Sequence, residues 1–137
     1  MRKTSISLSI LLAFAFLFTF AVTTQGAIQA PEPTVSEQGV RYLNGGVGLE
    51  ERKAMENITG FNLKLVFANE KGKYISNVSL TLRDADGNYL VAHKDAGPWL
   101  MADLPQGNYR INAVVDGEPI RKRVRVGHQM RTLNLTW

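Results

Sequence analysis

Arg121, Arg123 and Arg125 stand two residues apart in the run Ile120-Arg121-Lys122-Arg123-Val124-Arg125-Val126. Residues two apart share one face of a β-strand, about 6–7 Å from each other. With Ile120, Val124 and Val126 turned inward, the three guanidinium groups form an outward row. A guanidinium keeps its charge at any ordinary pH and offers paired N–H donors to carboxylate or phosphate. The chemistry of such a row is anion binding, to an envelope polysaccharide or a lipid headgroup. The competing reading is a solvated strand face that discourages edge-to-edge pairing.

The other reactive residue types form weaker patterns. His93 and His128 are the only histidines, and neither lies in an H-E-x-x-H or i, i+2 arrangement. A metal would need more ligands, which only Asp and Glu supply in a chain without cysteine. Asp84-x-Asp86-Gly87-Asn88 brings three oxygen-bearing side chains together, but its spacing suits a hairpin turn better than a calcium loop. Gly45-Gly46-Val47-Gly48 precedes a helical stretch, as an anion-binding glycine turn does. It has no downstream Lys-Ser/Thr, so a packing turn is expected. There is no G-x-S-x-G, no P-loop and no carboxylate pair set by spacing. Trp99 and Trp137 could stack on sugars, but strand parity puts both on apolar faces. The expectation is no catalytic residue, no cofactor and no metal.

The chain has 137 residues, with 16 Lys+Arg against 12 Asp+Glu, 45% hydrophobic residues and no cysteine. That length suits one domain of ordinary size. The missing cysteines exclude disulfides, cysteine-ligated zinc, iron–sulfur clusters and a thiol nucleophile. Met1-Arg2-Lys3 followed by an uncharged, mostly apolar run from Ile6 to Val22 reads as a secretory signal peptide over residues 1–26. The run is at the short end for a membrane span, which leaves an uncleaved N-terminal anchor as the alternative. Loss of Arg2 and Lys3 leaves 14 bases against 12 acids. The basic balance is then too small to argue for nucleic acid. A periplasmic or secreted location follows, with membrane contact during export only.

Residues 27–44 are polar and proline-bearing and read as a flexible linker. Residues 45–60 hold a glycine turn and a short helix over Leu49–Asn57, with Val47, Ala54, Met55 and Ile58 on one face. From Phe61 the period changes to two. Phe61/Leu63/Leu65/Phe67, Val78/Leu80/Leu82, Tyr109/Ile111/Ala113/Val115 and Leu133/Leu135/Trp137 each alternate with polar or small neighbours. Turns at residues 69–73, 84–88, 104–107, 116–119 and 127–129 separate about seven short strands over 61–137. The pattern predicts an all-β, antiparallel sandwich or barrel, each sheet with one dry and one wet face.

The segment Gly97-Pro98-Trp99-Leu100-Met101-Ala102-Asp103-Leu104-Pro105-Gln106-Gly107-Asn108-Tyr109 resembles the Leu-Pro-x-Gly-x-Tyr signature of carboxypeptidase regulatory-like domains. Val78–Asn88 resembles the strand and Asp-x-x-Gly turn that come before it in such domains. Gly45–Gly48 with Glu50 and Glu51 is similar to the start of small exported bacterial proteins carrying this domain. The resemblance covers Phe61–Trp137. It implies a seven-stranded Greek-key sandwich of the transthyretin (prealbumin) type, immunoglobulin-like in outline, and a generally non-catalytic role. Transthyretin-like hydrolases end in a Tyr-Arg-Gly-Ser tail, whereas this chain ends Asn134-Leu135-Thr136-Trp137, so that enzyme is disfavoured. Physically, Trp99 and Met101 are expected on one side with Leu104 joining them after a bend. Pro105 and Gly107 reverse the chain and Tyr109 re-enters the core.

These readings predict an exported, non-catalytic binding or interaction module of the cell envelope. The alternatives are a glycan- or anionic-polymer-binding protein working through Arg121, Arg123 and Arg125, and, less favoured, a small hydrolase. The partners implied are a protein or an envelope polysaccharide, and not nucleic acid. The sequence does not specify the oligomeric state.

Overall fold

The computed structural model describes Gly26 and residues 29–137. The expected signal peptide, Gly26 apart, lies outside the described residues. The described chain forms two sheets and one short helix. Its strands are β1 (Thr34–Val35), β2 (Arg41–Gly45), β3 (Leu63–Ala68), β4 (Val78–Arg83), β5 (Tyr89–Ala96), β6 (Trp99–Ala102), β7 (Gly107–Val115), β8 (Glu118–Val126) and β9 (Arg131–Thr136). The helix α1 spans Leu49–Glu56.

One sheet has the order β1-β2-β6-β3-β9 and the other β5-β4-β7-β8. Strands β3 to β9 fall within residues 61–137. Two more come from the segment read as a linker. That reading is corrected: β2 lies between β1 and β6, and its Tyr42 and Leu43 are buried. Wholly antiparallel pairing is corrected as well, because β3 and β9 run parallel, with Leu65 opposite Leu133 and Phe67 opposite Leu135.

The main core lies between the sheets. Leu63, Leu65 and Phe67 of β3 meet Leu80 and Leu82 of β4, Ile111 and Ala113 of β7, and Val124 and Val126 of β8. Strand alternation places these residues on the shared face, since successive side chains point to opposite sides.

A second cluster joins Leu43, Met55, Phe61, Trp99 and Met101, with Ile58 and Val66 packed against it. It lies on the outer face of the first sheet, where α1 contributes Met55. Strand β6 is therefore buried on both faces, and its residues 99–102 are all buried. Leu100 and Ala102 join Leu104 and Tyr109 in the main core, whereas Trp99 and Met101 point the other way. This corrects the expectation that Trp99 and Met101 share a face with Leu104. The alternation of Trp99 to Ala102 was legible, but nothing in that run tells which face is covered when both are. The one-dry, one-wet rule holds for the second sheet and fails for the centre of the first. On α1 itself Met55 is buried, while Val47, just before it, is 68% exposed and does not share that buried face.

Local devices hold these parts together. The amide nitrogens of Gly46 and Val47 donate to the Glu51 carboxylate at 3.0 and 2.9 Å. The glycine turn thus binds an anion, and that anion is the chain's own first-turn acid, where the helix dipole favours it. Gly97 is required by close approach: a Cβ there would come 2.7 Å from the Gly45 carbonyl oxygen. The Asn62 side chain accepts from the Leu104 amide at 2.9 Å and donates to the carbonyls of Leu104 and Gly127. It ties the β6–β7 turn to the β8–β9 turn.

Candidate functional site

The second sheet turns its outer face to solvent. On β8, Arg121, Arg123 and Arg125 are exposed and alternate with the buried Val124 and Val126. Register adds what a single strand does not show. Arg123 lies opposite Arg110 of β7, Arg121 opposite Asn112, and Arg125 opposite Asn108. Arg110 lies opposite Arg83 of β4, and Asn112 opposite Thr81. Arg83 in turn faces Tyr89 of β5, across a register shift in that pair.

Five arginines therefore share one face, and three of them, Arg83, Arg110 and Arg123, form a row across three adjacent strands. Facing residues on neighbouring antiparallel strands are only about 4.5–5.5 Å apart at Cα. Like charges so placed cost stability. Among the described residues none of the five is in a salt bridge; the ion pairs are Arg41–Asp103 and Lys53–Glu50, both elsewhere. Arg83 stacks on the Tyr89 ring at 3.8 Å from its centroid and donates to the Tyr89 hydroxyl. Arg110 reaches the Ala85 carbonyl at 3.3 Å.

Between β4, β7 and β8 lies an open depression of about 460 Å³, with Arg83, Arg110, Arg121 and Arg123 around Thr81 and Asn112. The Oδ1 atom of Asn112 is shielded from water and has no hydrogen-bond partner. Lys122 faces inward opposite Ile111 yet stays exposed, because β8 is the edge of its sheet. An inward-pointing charge on an edge strand opposes pairing with another chain.

The remaining candidates resolve into local structure. Asp84–Asn88 is the β4–β5 hairpin turn: Gly87 takes φ +91° and the Asp84 carboxylate accepts from the Asn88 amide at 2.9 Å. The Asn88 side-chain amide, donating to the same carboxylate at 2.9 Å, and then the backbone N–H hold the Asp84 carboxyl below the ordinary range. His93 lies between the sheets, with Nδ1 3.4 Å from the Tyr42 hydroxyl and Nε2 3.2 Å from the Asn44 amide nitrogen. His128 contacts the Gln106 amide. The structure does not bring either histidine into a bond with a carboxylate, and no group of three His, Asp or Glu suited to a metal occurs among the described residues. Trp99 is buried, with the Lys64 ammonium 3.1 Å from its ring centroid. Burial holds Lys64 below the usual lysine range, opposed by the Glu56 carboxylate. Trp137 is half-buried against Phe67 and donates to the Glu118 carbonyl at 3.0 Å.

The structure thus places Arg121, Arg123 and Arg125 on one open face, as their spacing predicts. Arg83, Arg110, Asn112 and Tyr89 were missed as members of that face. The parity of Arg83 against Leu82, and of Arg110 against Tyr109 and Ile111, already pointed outward. Which outward residues meet depends on strand register, which no single strand carries. No family model and no curated protein matches this chain.

Proposed function

We propose that this chain is an exported, non-catalytic β-sandwich module that binds an anionic polymer of the cell envelope through the outer face of β4, β7 and β8. The observation that carries the reading is the cross-strand row Arg83–Arg110–Arg123, facing side by side without carboxylate partners among the described residues. Such a row opposes folding, because like charges face each other. An incoming polyanion relieves that repulsion, so the same feature favours association. Tyr89 adds an aromatic surface to the charged one, half exposed at the margin of the row.

The resemblance of Gly97–Tyr109 to carboxypeptidase regulatory-like domains supports a non-catalytic Greek-key sandwich. The bonding of His93 to a phenol and an amide also favours binding over hydrolysis. Export rests on the basic start and apolar run of residues 1–22.

Replacing Arg121, Arg123 and Arg125 together by Gln tests the reading. Binding to a polyanion such as polygalacturonate is expected to be salt-sensitive in the wild type and lost in the triple variant, with a nearly unchanged melting temperature. Equal binding by the two proteins would remove the assignment.

A further inference from the structure

The face does not offer positive charge alone. The depression at its centre is lined by Arg83, Arg110, Arg121 and Arg123 around Thr81 and Asn112. A guanidinium only donates hydrogen bonds. Asn112 Oδ1 is an acceptor, shielded from water and without a partner. A buried polar atom left in that state carries a desolvation cost. A ligand made only of anionic oxygens leaves it so, because such a ligand also only accepts. A ligand carrying both an anion and a hydroxyl satisfies both halves of the site.

We propose that this depression is a subsite for an acidic sugar unit, bearing carboxylate or phosphate. The anion lies across Arg110 and Arg123, and a neighbouring sugar hydroxyl donates to Asn112 Oδ1. This rests on the anion-binding reading above and deepens it from a charged polymer to a charged polymer of sugars. The placement fits the register: Asn112 and Arg110 lie two residues apart on β7, about 6–7 Å, which is the scale of one sugar ring with its substituents. Asn112 stands directly opposite Arg121, so the acceptor and the charges share one patch. Two strands from Arg110, Tyr89 offers a half-exposed ring, and sugar C–H faces pack on such rings. For the hydroxyl to reach Asn112 Oδ1, which is shielded in the free protein, the long arginine side chains around the depression must turn towards the anion.

The test compares wild type with N112L and N112A against three polymers at matched ionic strength. Polygalacturonate and dextran phosphate carry anions and hydroxyls; polyacrylate carries carboxylates alone. Loss of one hydrogen bond corresponds to about tenfold in affinity. Both variants are expected to weaken polygalacturonate or dextran phosphate by that factor, leaving polyacrylate affinity unchanged and the melting temperature level or raised, since the unpartnered acceptor is gone. A drop for one sugar polymer only identifies its anion as the one the site takes. Unchanged binding of both sugar polymers by both variants overturns the subsite. An equal drop for polyacrylate also overturns it, since Asn112 would then act through the charge field or the fold. If the wild type binds none of the three, the wider anion-binding reading fails.

Discussion

The two sheets treat their outer faces in opposite ways. The first sheet is covered: α1 lowers Met55 onto Leu43, Trp99 and Met101, and the central strand β6 is dry on both sides. The second sheet is left open and carries five arginines on that side. Exposed apolar area on an open sheet invites association, and a helix cap removes it. Exposed arginines do the reverse. Charge on the edge strand β8 opposes pairing with another chain, and under the proposed function the same charge attracts a partner of opposite sign. One face therefore contributes stability, and on the proposed function the other gives up a little stability for binding.

Met55→Ala is the sharpest way to break the covered side. The side chain is fully buried, and such truncations cost about 2–5 kcal/mol. Denaturant unfolding should show a loss in that range, with polyanion binding intact below the lowered transition. A loss under 1 kcal/mol would mean that the helix is a loose appendage. Glu51→Ala ranks next. It removes the acceptor of two backbone donors in the turn that starts the helix, worth about 1–3 kcal/mol. Glu51→Gln should recover part of that loss, since its oxygen still accepts.

On the open side the stability effects are small and of the other sign. Arg110→Gln removes the central charge of the cross-strand row, which relieves repulsion on both flanks. The melting temperature should stay level or rise slightly, by a few tenths of a kcal/mol in stability. A marked fall would mean that Arg110 is structural, held by its bond to the Ala85 carbonyl.

Tyr109 gives a test by pH within the main core. Its hydroxyl donates to the Pro105 carbonyl, and burial, with a smaller push from Asp84, holds its ionisation above the ordinary phenol range. The folded protein therefore keeps this proton at pH values where the unfolded chain has lost it. The stabilisation is complete below about pH 10 and fades as pH climbs through the folded-state value. Denaturation midpoints measured across that range should fall less steeply with pH in Tyr109→Phe. An unchanged slope would show that Tyr109 does not contribute to it.

What was legible in the sequence follows from what each element needed. The strands from Leu63 onward have clear alternation and glycine-marked turns, because each has one buried face. The arginine row of β8 was legible for the same reason. Strand β2 was not: Tyr42 and Leu43 are buried on opposite sides, Tyr42 in the main core and Leu43 beneath α1. Val40 and Tyr42 alternate about Arg41, but Leu43 follows directly with its own buried side, and so short a run in a polar, proline-bearing segment does not read as a strand. Trp99 and Met101 were assigned to the wrong layer for a related reason, since a strand covered on both faces gives no parity signal. The wider site was hidden because Arg83, Arg110 and Arg123 are 27 and 13 residues apart in the chain, and only register makes them neighbours.

One binding titration addresses the cross-strand row most directly. Polygalacturonate affinity is measured at low and moderate salt for wild type and for the R83Q/R110Q/R123Q triple variant, with melting temperatures recorded alongside. The prediction is a steep salt dependence in the wild type, and in the variant a loss of affinity with a flatter salt response and no loss of melting temperature. Equal affinity and equal salt response in the two proteins would contradict it.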